Sequence, residues 1–293
     1  MNRILQTLPP RLREGFSVLT PADWEQLEEI RLRPNAPVML CSAHGERELG
    51  IAVLPGELEL TVELAARASL HAVLPQLRRG YLTLQGGHRL GVCGSAVLKE
   101  GEIQAISPLS SLNLRLARQV KGAGEGLIEK LCPQGRFRSA LILAPPGAGK
   151  TTLLRDIVRC LSDGIGCAPH RVGLADERGE VAALYRGEPQ LDVGRRTDVM
   201  EGCPKAAALM LLLRGMNPGV LCADEITEEE DIRAMERSAG CGVELLCTAH
   251  GRDRSDLKRR KLYRELLEMG IFHTLVTIWG ENGVRRYEVE ELT

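Results

Sequence analysis

An apolar run that ends in a glycine-rich turn constrains the fold of this chain more than any other feature. Residues 141–144 are all apolar, and the turn that follows closes with Gly149, Lys150 and Thr151. The run is typical of a buried strand, and a helical stripe of apolar residues follows the turn. A strand, a glycine-rich turn and a helix in this order gather backbone N–H groups and a helix N-terminus around one point, where they bind phosphate. The segment predicts a nucleotide-phosphate site.

Seven residues of this turn are the predicted nucleotide contacts. Lys150 is expected to reach the β- and γ-phosphates, and Thr151 to ligate Mg²⁺, so ATP and Mg²⁺ are the expected ligands. Ala144 stands where such a turn usually has its first glycine, a change that costs little where the backbone φ is negative. The predicted contacts are Pro146, Gly147, Ala148, Gly149, Lys150, Thr151 and Thr152.

Polar residues follow three other predicted strands. Asp176 and Glu177 come after residues 171–175, Asp224 and Glu225 after residues 219–223, and Thr248 and His250 after residues 243–247. In open α/β sheets, ligands bind outside the carboxyl ends of the strands. The three clusters are therefore expected to converge with the phosphate loop on one crevice.

These side chains have the chemistry of nucleotide hydrolysis. Asp224 is expected to accept from the water shell of Mg²⁺, and Glu225 to orient or deprotonate the attacking water. Glu177 competes with Glu225 for the role of catalytic base. His250 could sense the γ-phosphate through a hydrogen bond, or it could merely cap a turn.

The chain is long enough for two modest domains. Residues 1–120 have the pattern of a mixed α+β domain, in which residues 23–30 look helical and residues 30–33 form a strand. Glycines are concentrated in residues 121–126, so residues 121–136 are assigned as a linker. Strands alternate with helices in residues 137–293, which predicts a parallel sheet, and residues 281–283 have a hairpin signature.

Composition limits the kinds of partner that the protein can bind and indicates its cellular compartment. The formal net charge of −1 gives no overall attraction to nucleic acid, and only the basic run of residues 258–261 suggests a nucleic-acid groove. Nine cysteines without any Cys-x-x-Cys pair indicate reduced thiols in a cytoplasmic protein. The longest apolar stretch, residues 206–213, is too short for a membrane span.

The order of these motifs resembles a known family. The most specific stretches are residues 29–33, 86–89, 110–118, 192–199, 203–205, 224–226 and 248–251. With them the chain resembles the stage III sporulation protein AA family of endospore-forming bacteria, itself similar to the traffic ATPases of type II secretion and type IV pili. The resemblance implies an ATP-hydrolysing RecA-like P-loop domain after a smaller α+β domain, and a homo-hexameric ring. It also implies membrane partners encoded in the same operon and a role in the channel complex between mother cell and forespore.

The resemblance extends to single residues. Asp176 and Glu177 fall where traffic ATPases carry an acidic box, Thr248 and His250 in their histidine box, and Glu225 at the Walker B glutamate. Asp224 stands where traffic ATPases often have glycine, so the choice between the two glutamates stays open. In such rings the N-terminal domain of one subunit closes over the nucleotide of its neighbour, which makes Arg115 the preferred intersubunit arginine and Arg89 the second choice.

Three functions remain open at this stage. The first is a motor that drives a membrane export complex from its cytoplasmic side, and the second is a nucleic-acid translocating ATPase. Aromatic residues make up only 3% of the chain, which disfavours base stacking. The third is a nucleotide switch without hydrolysis, which the presence of Lys150, Thr151, Asp224 and Glu225 disfavours.

Overall fold

The computed structural model describes residues 2–66, 70–281 and 284–292. They form two compact units. The first comprises Met1–Arg118 together with Ala183–Gln190, and the second comprises Gln119–Ala182 together with Leu191–Thr293. The short segment Ala183–Gln190 therefore belongs to the first unit, although the sequence boundaries place it inside the second domain.

The first unit is built on a six-stranded antiparallel sheet. Its strands are β1 (Leu27–Leu32), β2 (Pro37–Ser42), β3 (Gly45–Ala52), β4 (Tyr81–Thr83), β5 (Arg89–Lys99) and β6 (Glu102–Arg115). They pair in the order β3-β2-β1-β6-β5-β4. The helices are α1 (Asn2–Leu5), α2 (Pro10–Gly15), α3 (Pro21–Gln26), α4 (Glu57–Ala66) and α5 (Leu70–Arg78).

Helix α3 ends earlier than the sequence predicts. Thr20 and Asp23 form a capping box at its N-terminus, which fixes where the helix begins. The expected helix ran to Ile30, but strand β1 already begins at Leu27. Ile30 and Leu32 are fully buried, and Ile30 pairs with Leu114 of β6. Burial and strand pairing outweigh the local helix preference of this segment.

The second unit contains a seven-stranded sheet. Its strands are β7 (Ala140–Ala144), β8 (Val172–Asp176), β11 (Thr197–Glu201), β12 (Val220–Ala223), β13 (Glu244–His250), β14 (Thr274–Glu281) and β15 (Val284–Glu291). Strands β9 (Leu184–Tyr185) and β10 (Glu188–Pro189) form a short antiparallel hairpin that belongs to the first unit. The order is β11-β8-β12-β13-β7-β14-β15, and all neighbours are parallel except β14 and β15.

Helices connect these parallel strands. They are α6 (Glu125–Leu131), α7 (Lys150–Asp163), α8 (Lys205–Met216), α9 (Glu229–Gly240), α10 (Arg254–Arg259) and α11 (Lys261–Glu268). The antiparallel pairing of β14 with β15 agrees with the hairpin signature, and its turn residues 282 and 283 lie outside the described residues. In the described ranges, no helix combines the length and the apolar character that crossing a bilayer would require.

Helix α6 lies inside the segment that the sequence assigns as a linker. Leu127, Ile128 and Leu131 are buried in the second unit. Arg159 of α7 donates hydrogen bonds to Glu125 and to Asp156, over 2.7 and 2.8 Å. The apolar residues recur at helical spacing, so this segment packs as part of the second unit instead of running freely between domains.

Candidate nucleotide-binding site

The glycine-rich loop connects buried strand β7 to helix α7. Gly147 and Gly149 have φ values of 76° and 100°, a left-handed conformation that glycine adopts without steric cost. No side chain caps the N-terminus of α7, whose first N–H groups have no partner within a helix. Pro146 and Gly147 are exposed, while Ala148, Gly149, Thr151 and Thr152 are partly buried. The loop therefore presents backbone donors at an accessible edge of the sheet.

Strand register brings the other predicted residues to the same edge. In the parallel pairing, His250 at the end of β13 lies opposite Ala144 at the end of β7. Ala223, which precedes Asp224, lies opposite Ala175 of β8 and Cys247 of β13. The carboxyl ends of four strands thus meet beside the loop, as expected for an open α/β sheet.

His250 bridges the loop lysine and a glutamate. Its Nδ1 lies 2.9 Å from Nζ of Lys150, and its Nε2 lies 2.7 Å from Oε1 of Glu225. A charged lysine can only donate, so Nδ1 accepts and the proton of a neutral imidazole sits on Nε2, where it is donated to Glu225. Burial lowers the pKa of Lys150, whereas the carboxylates of Glu225 and Asp224 act in the opposite direction.

Asp224 is held by two threonine hydroxyls. Thr151 donates to its Oδ2 over 2.7 Å, and Thr248 donates to its Oδ1 over 2.6 Å. Burial raises the pKa of the Asp224 carboxyl, and the two threonine hydrogen bonds lower it. Hydroxyl and carboxylate oxygens are the ligands that Mg²⁺ prefers, and here they are already in contact. Thr151 and Asp224 therefore fit the predicted metal site.

Glu225 has an uncommon backbone conformation. Its φ is 52°, in the left-handed region that side chains other than glycine rarely adopt. Its N–H donates to Oγ1 of Thr248 over 2.8 Å, so the same hydroxyl that donates to Asp224 holds this backbone. Non-glycine residues in this conformation cluster at functional sites, where surrounding contacts maintain them.

The two residues of the acidic box have different environments. Asp176 is buried and accepts hydrogen bonds from the backbone N–H groups of Glu180, Val181 and Ala182. This carboxylate anchors the loop that follows β8. Glu177 instead pairs with Lys205 over 2.7 Å. Lys205 is itself buried. Residues 203–205 are one of the family-specific stretches, but no sequence pattern pairs Lys205 with Glu177.

Two arginines near these carboxylates have no role predicted from the sequence. Arg155 of α7 is buried and donates to the carbonyl oxygens of Val181 and Glu180, both over 2.6 Å. It holds the same loop as Asp176. Arg178 pairs with Glu225 over 3.0 Å, and its side chain is 65% exposed. Among the described residues, Glu225 thus faces His250 on one side and a solvent-accessible cation on the other.

The predicted intersubunit arginines lie in the first unit. Nε of Arg115 is 3.5 Å from Oε1 of Glu29, and 60% of the Arg115 side chain is exposed. The guanidinium of Arg89 packs over the ring of Tyr81, 4.0 Å from its centroid. Because Arg115 is exposed and its contact with Glu29 is long, the pair contributes little to stability, and Arg115 can leave it at small cost.

Comparison with known proteins places the chain in a family. A sequence model described as Sporulation stage III, protein AA matches residues 1–286. The chain belongs to this family. Stage III sporulation protein AA from Bacillus subtilis (strain 168) is 36% identical over 273 residues, which cover 93% of this chain and 89% of that protein. The family resemblance drawn from the sequence motifs is confirmed.

Solved structures share the fold of this sporulation family member at low sequence identity. The ATPase DotB from Yersinia pseudotuberculosis matches with a TM-score of 0.64 at 14% identity, over 98% of this chain and 81% of that one. The pilus retraction motor PilT with bound ADP matches with a TM-score of 0.63 at 17% identity, over 93% and 81% of the two chains. The predicted α/β fold, with a RecA-like domain after a smaller α+β domain, is confirmed.

Proposed function

We propose that this protein binds ATP at the loop of residues 146–152 and hydrolyses it. One observation carries the proposal: a single imidazole, that of His250, contacts both the ammonium of Lys150 and the carboxylate of Glu225, at 2.9 and 2.7 Å. In phosphate-loop enzymes a lysine binds the β- and γ-phosphates and a nearby polar residue orients the attacking water. A γ-phosphate that takes the lysine from His250 would lie next to that carboxylate.

Glu225 is the better candidate for the catalytic base. Glu177 forms an ion pair with the buried ammonium of Lys205 over 2.7 Å, and this contact holds its carboxylate in place. Arg178, the ion-pair partner of Glu225, is largely exposed, and ion pairs at the surface contribute only about 0–1 kcal/mol. Glu225 also contacts His250, which lies beside the loop lysine, so Glu225 is placed next to the expected γ-phosphate.

The remaining contacts assign roles to the other site residues. Thr151 and Asp224 would hold Mg²⁺, which supplies positive charge to the β- and γ-phosphates when bound. Thr248 fixes the positions of Asp224 and Glu225 relative to each other. His250 would report the presence of the γ-phosphate, because its contact with Lys150 competes with the phosphate for the same ammonium.

The biological role that fits best is that of a motor. Membership in the sporulation family and the fold shared with the ATPase DotB and the pilus retraction motor PilT support ATP-driven assembly or gating of the channel complex between mother cell and forespore. In this role the protein would be cytoplasmic, held at the inner face of the membrane by other stage III sporulation proteins. It would act as a homo-hexamer, with Arg115 of one subunit completing the site of the next.

Steady-state phosphate release from ATP tests this proposal. The full-length protein should release phosphate in the presence of Mg²⁺, with a rate per subunit that rises with protein concentration as rings form. EDTA should abolish the release. If the protein binds Mg-ATP but releases no phosphate at any protein concentration, it would instead be a nucleotide switch.

A nucleic-acid translocating ATPase is the second candidate. A groove of about 570 Å³ in the second unit is lined by Arg254, Lys258 and Arg264, which would suit a phosphate backbone. Against it, Arg254 already pairs with Glu290, and Lys261 of the basic run pairs with Glu265. Stimulation of phosphate release by single-stranded DNA or RNA would favour this second function, and its absence would favour the motor.

A further inference from the structure

A second cation lies over the phosphate loop, and it comes from the last strand of the sheet. Arg285 of β15 reaches across to Gly149, the residue before Lys150. A methyl group at Gly149 would lie 3.0 Å from both Cζ and Nε of Arg285 and 3.3 Å from its Nη2. The guanidinium therefore packs directly on the loop, and it can do so because Gly149 has no side chain.

Nothing in the described part of the chain neutralises this arginine. Arg285 is exposed, and within residues 2–66, 70–281 and 284–292 no carboxylate forms an ion pair with it. Other arginines of the same unit have clear partners. Arg286, the next residue, stacks over the ring of Trp279 at 5.5 Å, and Arg254 pairs with Glu290.

Arg285 adds to the positive charge around the phosphate loop. The N-terminus of helix α7 carries partial positive charge, and Lys150 adds a full charge one residue away from Gly149. Arg285 is a third source of positive charge at this point. An anion bound at the loop would be attracted by all three, and an arginine binds phosphate oxygens with two parallel N–H donors.

Sheet order indicates which part of the nucleotide Arg285 would reach. Strand β7, which leads into the loop, lies between β13 on one side and β14 followed by β15 on the other. Asp224 and Glu225 follow β12, and His250 ends β13, so these three residues approach the loop from the first side. Arg285 approaches from the opposite side. It therefore faces away from the carboxylates that would act at the γ-phosphate.

We propose that Arg285 is a nucleotide-binding residue that contacts the α- or β-phosphate, the part common to ADP and ATP. This inference rests on the proposed function, because it requires a nucleotide at the loop. In this role Arg285 contributes to the affinity for both ADP and ATP. Lys150 and His250 have a different role, because they would distinguish ATP from ADP through the γ-phosphate.

Nucleotide titrations of the full-length protein test the proposal. The probes are the fluorescent derivatives mant-ADP and mant-ATP, and the variants are Arg285→Ala, Arg285→Lys and the control Arg286→Ala on the same strand. Arg285→Ala should weaken both nucleotides by a similar factor, about tenfold or more, because a charge-assisted hydrogen bond contributes at least ~1.5 kcal/mol. Arg285→Lys should lose part of this affinity, and Arg286→Ala should bind as the wild type does.

Two results would overturn the proposal. One is unchanged mant-ADP affinity in an Arg285→Ala protein that melts at the wild-type temperature without nucleotide. The other is a loss confined to mant-ATP, which would place Arg285 at the γ-phosphate. Failure of the wild-type protein to bind either probe would be a different outcome, since it would refute the nucleotide site itself.

Discussion

The ammonium of Lys150 lies 2.9 Å from Nδ1 of His250, so a neutral acceptor, and not a carboxylate, holds the lysine of the phosphate loop. A lysine paired with a buried carboxylate would have to break a strong ion pair before it could bind phosphate. Here the ligand replaces one hydrogen bond to an imidazole, whose net contribution is about 0.5–1.5 kcal/mol. The loop is thus arranged to exchange this contact for a phosphate.

Lys150→Ala should abolish phosphate release and weaken nucleotide binding by at least about tenfold, because the phosphates lose a charged donor in a partly buried site. Malachite-green assays and mant-nucleotide titrations measure the two effects. Lys258→Ala, which changes an exposed lysine of α10, is the matched control. Wild-type turnover in Lys150→Ala would refute the assignment of the loop.

Glu225→Gln and Glu177→Gln separate the two candidate bases. Glu225→Gln should keep Mg-ATP affinity within a few-fold, because the loop and Asp224 are unchanged, and should lower kcat by about 10²–10⁴. Glu177→Gln should reduce kcat less, since its main contact is the ion pair with Lys205. If Glu177→Gln is the more severe change, the acidic box supplies the base.

Asp224→Asn tests the buried carboxylate through its pH dependence. Burial raises the pKa of Asp224 in the folded protein above its usual value of 3.8, so the folded state binds this proton more tightly than the unfolded state. The contribution of Asp224 to stability therefore falls as the pH rises from about 4 through its folded pKa. Without nucleotide and in EDTA, the Tm of Asp224→Asn relative to wild type should increase over this range and then level off. A Tm difference that does not change with pH would contradict the raised pKa of Asp224.

The intersubunit role of Arg115 is tested by mixing two inactive variants. Arg115→Ala and Lys150→Ala should each lack activity, but mixed rings can pair an intact arginine with an intact loop. Some turnover should return on mixing, since an arginine supplied in trans contributes about 10³–10⁵ in rate. Arg89→Ala in place of Arg115→Ala tests the second candidate. No recovery in rings shown to be mixed would count against a trans arginine.

Local patterns account for what the sequence could predict. The loop before α7 and the polar residues after β8, β12 and β13 are each contained within a few consecutive residues, so periodicity and turn chemistry reveal them. Parallel pairing then brings the strand ends together. The fold class follows from the same alternation of strands and helices.

Long-range pairing accounts for what the sequence could not predict. The partner of Glu177 is Lys205, and the residue over Gly149 is Arg285, and no motif joins either pair. The different environments of Asp176 and Glu177 have the same origin, because they depend on which groups the folded chain brings next to each carboxylate. Helix α6 is a different case: its signal, three apolar residues at helical spacing, was present but was obscured by the glycines beside it.

At Thr248, a substitution that keeps the hydroxyl is expected to be less damaging than one that keeps the shape of the side chain. It donates to Asp224 and accepts from the N–H of Glu225, so it is needed as a donor and an acceptor at once. Valine, which matches threonine in shape, would fill the buried space but leave Oδ1 of Asp224 and the N–H of Glu225 without this partner. Serine, which leaves a small void, would keep both hydrogen bonds. At this position chemical identity outweighs size, and a substitution that preserves packing is the more damaging of the two.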